Sequence, residues 1–368
     1  MLFIPSKMGS YPSEDVTFLL RDLSHAPLEK TTDERELSIQ SGKMHYSEML
    51  PVEYQPNDEY MSLYTQILAQ NAEKVAECVA VVAEKIATVR GVEQLVLVSL
   101  ARAGTPIGIL LKRYFQQYYG INVPHYSISI IRDRGIDETA LNYILQQHPQ
   151  AKVQFVDGWT GKGAITIELD EAITNWNTHH ETKLDANLAV LADPGHCAHI
   201  YGTQEDFLIP SACLNSTVSG LVSRTVLNEA FMEPGDFHGA KYYRELEPFD
   251  VSISYIETIV SHYSNNLKEY GVNSLKMQPI LAVPTWKGLE NIKDIQKHFD
   301  IRSFHHIKPG VGETTRVLLR RVPWKILINP HVNQNLKHIY LLAEQRGVQV
   351  EEYANMPYAC CGLIKELV

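Results

Sequence analysis

Between residues 94 and 193 the chain repeats one pattern. A short continuous apolar run is followed by a turn of Gly, Pro or charged residues, and then by a stretch with helical periodicity. Continuous apolar runs suit strands buried on both faces, and parallel strands of that kind need right-handed helical crossovers between them. Residues 94–100, 123–131, 153–156 and 188–193 read as strands, and 107–119, 138–147 and 165–176 as the helices that join them. The pattern predicts an α/β domain with a Rossmann-like parallel sheet. Ligands of such sheets lie beyond the carboxyl ends of the strands. That places the loops 101–106, 132–137, 157–163 and 194–197 together as candidate site loops.

The stretch 153–166 is the most informative of these. Asp157 ends an apolar strand, Gly158, Gly161 and Gly163 turn the chain, Thr160 and Lys162 stand between them, and a helix follows. Backbone N–H groups at such a helix start, with the helix dipole behind them, suit a phosphate. Asp157 can hold a sugar hydroxyl or a metal-bound water, and Thr160 and Lys162 can reach phosphate oxygens. The same glycines also serve an ordinary strand-to-helix turn, and both readings stay open. The loop 132–137 is likewise either a solvated turn or a mobile flap. As a flap it would close over an anionic substrate and bring Arg132 or Arg134 to developing charge.

The flanks divide the chain. Residues 1–60 read as an N-terminal extension or cover, 61–268 as the main α/β domain, 269–300 as a connector and 301–368 as a smaller α/β domain. A long amphipathic helix is expected over 59–90, with Leu63, Ile67, Leu68, Val75, Val79, Val82 and Ile86 as its core stripe. The small and hydroxyl residues of 211–225 either line a polar pocket or allow close packing. Helices are expected over 251–267 and 289–299. Beyond the turn at 308–316 come a helix through Leu319, a strand at 325–328, a helix over 333–345, a strand at 348–353 and a final short helix over 360–367.

Charge adds one asymmetry. The whole chain carries −10, yet residues 301–368 hold nine Lys/Arg against five Asp/Glu. An acidic chain with a basic end is not a nucleic-acid coat, and the basic end has its own electrostatic role. The five cysteines follow no metal-site spacing. No window of about 18 apolar residues occurs and no leader pattern is visible, so a reducing cytoplasm without a membrane span is expected. The pairs His179–His180 and His305–His306 read as surface residues.

Two loops together resemble type I phosphoribosyltransferases. Arg102, Ala103, Gly104, Thr105 and Pro106 after the first core strand are similar to their diphosphate loop. Residues 153–166 are similar to their signature for 5-phosphoribosyl diphosphate (PRPP), with one acid, Asp157, where the signature has two. The resemblance implies PRPP or a nucleotide as ligand, with Mg²⁺ brought by the substrate rather than held by a cluster of protein ligands. The 5-phosphate would sit on the loop of Gly158, Thr160, Gly161, Lys162 and Gly163, and Asp157 would hold the ribose. Arg132 and Arg134 would neutralise the leaving diphosphate, and catalysis would be mainly positioning and electrostatics.

Over residues 1–260 the chain is similar to a bacterial group of such proteins tied to tellurite resistance and stress, members of which also carry the label cysteine protease StiP. Residues 301–368 resemble the Pelota-type, L7Ae-like RNA-binding domain. Lys308, Gly310, Gly312, Glu313, Thr315 and Arg316 correspond to its basic turn, and Arg316, Arg320 and Arg321 follow on one helix. The resemblance implies that they meet RNA phosphates. The expected protein is therefore a phosphoribosyltransferase-like enzyme of stress and tellurite resistance with an RNA-binding end, its homo-oligomerisation left open. One alternative is a nucleotide-sensing RNA-binding regulator without catalysis. Another is a cysteine protease, with Cys213 or Cys197 as nucleophile and His196, His199 or His238 as base. A Walker loop is excluded, because two residues separate Gly158 from Gly161 where that loop needs four, and Gly163 follows Lys162.

Overall fold

The structure is a computed structural model that describes residues 5, 7–53, 55–332 and 336–366. Strand β1 (Thr17–Phe18) and helix α1 (Thr32–Gln40) precede the long helix α2 (Asp58–Arg90). The alternation then runs β2 (Leu95–Leu100), α3 (Gly104–Tyr119), β3 (His125–Ile128), α4 (Glu138–Gln147), β4 (Lys152–Val156), α5 (Ala164–His179) and β5 (Ala189–Ala192), closed by β6 (Ile200–Thr203). Helices α6 (Ser252–Val260), α7 (Leu267–Ser274) and α8 (Lys287–His298) lead to the C-terminal part. That part comprises β7 (Ile307–Pro309), α9 (Val311–Arg320), β8 (Pro323–Ile328), α10 (Lys337–Arg346), β9 (Gln349–Glu352) and β10 (Cys360–Ile364).

The architecture is mixed α/β. The large sheet has six strands in the order β1-β3-β2-β4-β5-β6, all parallel. The smaller sheet runs β7-β10-β8-β9, with β8 and β9 parallel and the pairs through β10 antiparallel. The apolar runs are continuous because both faces of the large sheet are covered. Leu95 and Leu97 of β2 join the core under α2 and α3, whereas Val96, Val98 and Leu100 join the core under α4 and α5. From β2 the chain steps first to β3 on one side and then to β4 on the other. The loops after β2 and β4 therefore flank the switch-point crevice. Gly104 is what lets them close up, since a Cβ there would lie 2.3 Å from the Val156 carbonyl oxygen.

Several elements differ from the sequence expectations. Strand β6 is not among the expected strands, because its strand-forming residues Ile200, Tyr201 and Thr203 make a run of only four that Gly202 interrupts. Gly202 is needed for contact with α2, since its Cβ would fall 2.7 Å from the Cys78 Cβ. The segment expected as a final helix over 360–367 is strand β10. It is buried along its whole length and bonded on both sides, which a surface helix would not be; residue 367 lies outside the described residues. The helix expected over 251–267 breaks into α6 and α7. Helix α10 starts at Lys337 rather than 333, and residues 333–335 lie outside the described residues. The charged loop at 132–137 is the tip of a small antiparallel hairpin in which Ile130 pairs with Ile136 and Ile131 with Gly135. The Glu168 carboxylate accepts the Asp133 and Gly135 N–H groups at 2.6 and 2.7 Å and pins that tip to α5.

The smaller sheet docks over the carboxyl end of the large one. The buried carboxylate of Asp206, just after β6, accepts the N–H of Val311 at 2.9 Å and of Ala359 at 2.8 Å. Lys162 donates from the other side to the carbonyls of Phe304 at 2.5 Å and Ile307 at 3.3 Å. The Tyr358 hydroxyl donates to the Gly161 carbonyl at 3.2 Å. Among the described residues no helix is long and apolar enough to cross a membrane.

Asp206→Ala leaves two buried N–H groups without an acceptor. A loss of about 2–4 kcal/mol in stability is expected. Amide hydrogen exchange should speed up at Val311 and Ala359, and unchanged protection there would refute the docking role.

His125 offers a second test. It is buried between Ser99 Oγ at 2.7 Å and the Asp15 carbonyl at 2.8 Å. A carbonyl only accepts, so Nδ1 carries the proton and Nε2 accepts from the serine. Burial depresses the pKa of His125 to about 3. The folded state thus keeps it neutral while the unfolded chain protonates below about 6.5. Its stabilisation is full above that value and is lost as pH falls towards 3, by up to about 1.4 kcal/mol per pH unit. His125→Gln should flatten the fall of urea-unfolding stability between pH 6.5 and 4 relative to wild type, and equal slopes would rule this out.

Candidate functional site

The crevice at the switch point is roofed by the C-terminal part to give a cavity of about 800 Å³. Among the described residues ten Lys or Arg side chains line it against four Asp or Glu. The floor comes from the loops after β2 and β4, one wall from residues 35–53 and Arg224, and the roof from β7 and α9.

The diphosphate-like loop behaves unevenly. Arg102 is buried, donates to the Val222 carbonyl at 2.8 Å and lies 3.9 Å from Glu53. Ala103 lines the cavity, whereas Gly104 and Thr105 sit beneath it, with Thr105 Oγ1 bonded to Ser127 Oγ at 2.7 Å. In the second loop Asp157 faces the cavity. Burial pushes its pKa up to about 7, although the Gly158 N–H at 2.7 Å and the charge of Arg316 favour the anion. Thr160 Oγ1 is committed to the Asp193 carboxylate at 2.5 Å, and Lys162 to the two carbonyls of the C-terminal part. Both therefore build the loop more than they offer free donors. Gly161 and Gly163 line the cavity, Gly163 in the left-handed conformation at the start of α5, and Gly158 is covered.

Arg132 reaches the cavity, but its guanidinium is held over the Tyr46 ring at 5.0 Å and against His305 Nδ1 at 3.2 Å. Arg134 points outward to Glu48 at 3.4 Å. The expected RNA face is turned inward. Lys308, Glu313, Arg316, Arg320 and Arg321 all line the cavity. Gly312 packs on Trp159, and a Cβ there would come within 2.7 Å of the indole. Gly310 sits beside Asp206. Thr315 is buried under α10, bonded to the Val311 carbonyl at 2.7 Å and to His338 Nε2 at 3.0 Å.

Burial and like charge depress several of the cationic groups. The pKa of Arg35 falls to about 10, of Arg224 to about 9 and of Lys308 to about 8. Lys162 and Arg320 lie well below their ordinary values for the same two reasons. The pKa of Glu313 is lowered as well, because Arg316 and Lys308 outweigh the burial that alone would raise it. Sequence reasoning missed Arg35, Glu53, Arg224 and His305. Arg35 and Glu53 lie in an extension with no motif. The hydroxyl-rich segment hinted at a polar pocket, which Ser223 and Arg224 do line. His305 is half-buried at the cavity wall, where burial and neighbouring cations lower its pKa to about 4. Among the described residues no three His, Cys, Asp or Glu side chains converge as metal ligands.

The thiols are inert as placed. Cys197 Sγ lies behind the cavity floor, 3.1 Å from the Gly195 carbonyl and 3.9 Å from that of Gly161. Burial raises its pKa, and raises that of Cys213 to about 12. His196 Nδ1 pairs with Gln204 at 3.0 Å and His238 Nδ1 with Ser129 at 2.9 Å, so neither faces these sulfurs through that atom. Among the described residues no hydrogen bond joins an imidazole to Cys197 or Cys213 Sγ.

Fold and cavity define an α/β protein with a charged crevice roofed by a separate basic module. Residues 9–260 match the family model described as tellurite-like stress resistance cysteine protease StiP, and residues 286–366 match that of the PELOTA RNA binding domain. A protein of Acinetobacter baylyi (strain ATCC 33305 / BD413 / ADP1) named Cysteine protease StiP is 35% identical over 380 residues, covering 98% of this chain and 94% of its own. The chain belongs to the StiP family and carries a Pelota-type module at its C-terminal end. This relationship overturns the expectation of a phosphoribosyltransferase and of PRPP chemistry, because the relative aligned along nearly the whole chain is named a cysteine protease. The resemblance of two short loops had carried that expectation, and short glycine motifs recur in unrelated sites.

All five cysteines are free and buried. In the native protein, an aromatic disulfide reagent such as DTNB should therefore titrate fewer than one thiol within minutes, and all five in guanidinium. A fast native thiol would refute the burial.

Proposed function

We propose that this protein is a stress-response cysteine protease of the StiP kind with an RNA-binding C-terminal module. The relationship at 35% identity over 98% of the chain carries the reading. A cytoplasmic place agrees with five unpaired thiols.

Cys197 is the nucleophile we assign. Its loop lies at the carboxyl end of the large sheet, where sites of this architecture sit, and its sulfur backs onto Gly161. Asp193 accepts its backbone N–H at 2.8 Å, and His196 precedes it. Burial keeps His196 largely neutral, the form a general base needs. Cys213 is the weaker choice, since its surroundings are the buried ring of Tyr60 and the interior of the core. On this reading the loop 161–163 moves off the sulfur during turnover, which frees the thiol to ionise beside the imidazole. RNA binding is supported by the match of residues 286–366 and by the basic residues of α9.

Cleavage of denatured casein, and self-cleavage followed by mass spectrometry, tests the reading. Cys197→Ala should lower the rate by about a thousandfold or more, while Cys213→Ala should retain it. Full activity in Cys197→Ala would remove the assignment. Absence of any peptide cleavage by the wild type, with thiol reductant present, would remove the protease reading itself.

A further inference from the structure

The cavity has a feature that proteolysis does not use. Arg35 is only 5% exposed, it lines the cavity, and its Nε and Nη1 have no hydrogen-bond partner. Arg320 Nε and Nη2, Arg224 Nη1 and Arg316 Nε are buried and unpartnered in the same way. Buried donors without acceptors are costly, and buried like charges more so. Some neighbours do have partners. The Glu36 carboxylate accepts from Arg321 Nε and Nη2, and Arg224 Nη2 donates to the carbonyls of Tyr46 and Met49. These contacts fix where Arg321 and Arg224 stand, while the unpartnered N–H groups lie buried in the wall, on residues that line the cavity. An anion there would offset the repulsion and satisfy the donors at once.

We propose that the cavity binds an oligophosphate, two or more linked phosphates carried either on the 5′ end of an RNA strand or by a free nucleotide. Charge density selects this ligand over an acidic peptide. Ten cations against four acids around about 800 Å³ call for several negative charges within a few ångströms. Linked phosphates supply them, whereas a peptide carries at most one carboxylate per residue, on a chain that spans up to ~3.3–3.6 Å per residue when extended. Guanidinium forks also match phosphate oxygens in pairs. The ligand would touch both halves of the molecule, with Arg35, Arg102 and Arg224 on one side and Lys308, Arg316 and Arg320 on the other. The basic turn of the C-terminal module would then receive a strand end inside the cavity rather than a folded RNA on an open surface. This inference stands on the cavity alone and does not depend on the thiol assignment.

The test uses the full-length protein with inorganic tripolyphosphate, ATP, and one short RNA carrying either a 5′-triphosphate or a 5′-hydroxyl. Tripolyphosphate should bind saturably and raise the melting temperature. Arg35→Gln and Arg320→Gln should each weaken binding ten- to a hundredfold. Neither should lower the ligand-free melting temperature, because each removes an unpaired buried charge; this separates lost binding from lost folding. Tighter binding of the 5′-triphosphate RNA than of ATP identifies the RNA end as the source, and equal or tighter binding of ATP identifies the free nucleotide. The proposal is overturned if neither tripolyphosphate nor the 5′-triphosphate RNA binds, or if both variants bind as wild type does. It is equally overturned if the 5′-hydroxyl RNA binds as well as the 5′-triphosphate RNA and tripolyphosphate does not compete with it.

Discussion

The carboxylate of Asp206 ties the two sheets together. It projects from the end of the large sheet and accepts main-chain N–H groups from the start of α9 and from the approach to β10. Burial without a charged partner costs it, so its pKa rises to about 6. The two N–H groups are what make an anion tolerable there. Lys162 makes the reciprocal contact, an ammonium on two carbonyls of the C-terminal part. Both contacts hold the roof over the crevice, and the cavity between them takes its lining from the two parts.

The same docking explains the chemistry of the thiol and of the basic turn. The loop 161–163 is held between the cavity and Cys197, with Tyr358 bonded to its carbonyl from above and the sulfur packed below. One stretch of backbone thus touches both the cavity and the cover over the sulfur. The basic helix α9 turns its charged face inward on docking, where it shares the cavity with Arg35, Arg102 and Arg224 as well as with Glu53 and Asp157. Gathering like charges in one buried cavity costs stability.

Much of the framework was legible in the sequence, because two periodicities set it. The apolar runs that became β2, β4 and β5 were bounded within a residue or two, and α4 ran over 138–147 as expected. The failures fell where local signal is weak or misleading. Strand β6 is four residues long with a glycine inside, and residues 360–364 have no periodicity that separates a buried strand from a buried helix turn. The catalytic class was misjudged for a related reason. A glycine-rich strand-to-helix turn is a backbone solution shared by many chemistries, and here its Thr160 and Lys162 serve the architecture.

The sequence by itself determined that there is a buried parallel sheet with its polar loops at one end, and a basic module after it, since both follow from short-range patterns of hydrophobicity and charge. Only the tertiary structure decided that the module faces inward. It also decided that Arg35 of the N-terminal extension and Arg320 of α9 look into one cavity, and that five thiols are sealed. Those facts depend on contacts between residues hundreds of positions apart, such as Arg321 with Glu36. Side-chain burial and pairing are properties of such contacts and leave no trace in local order.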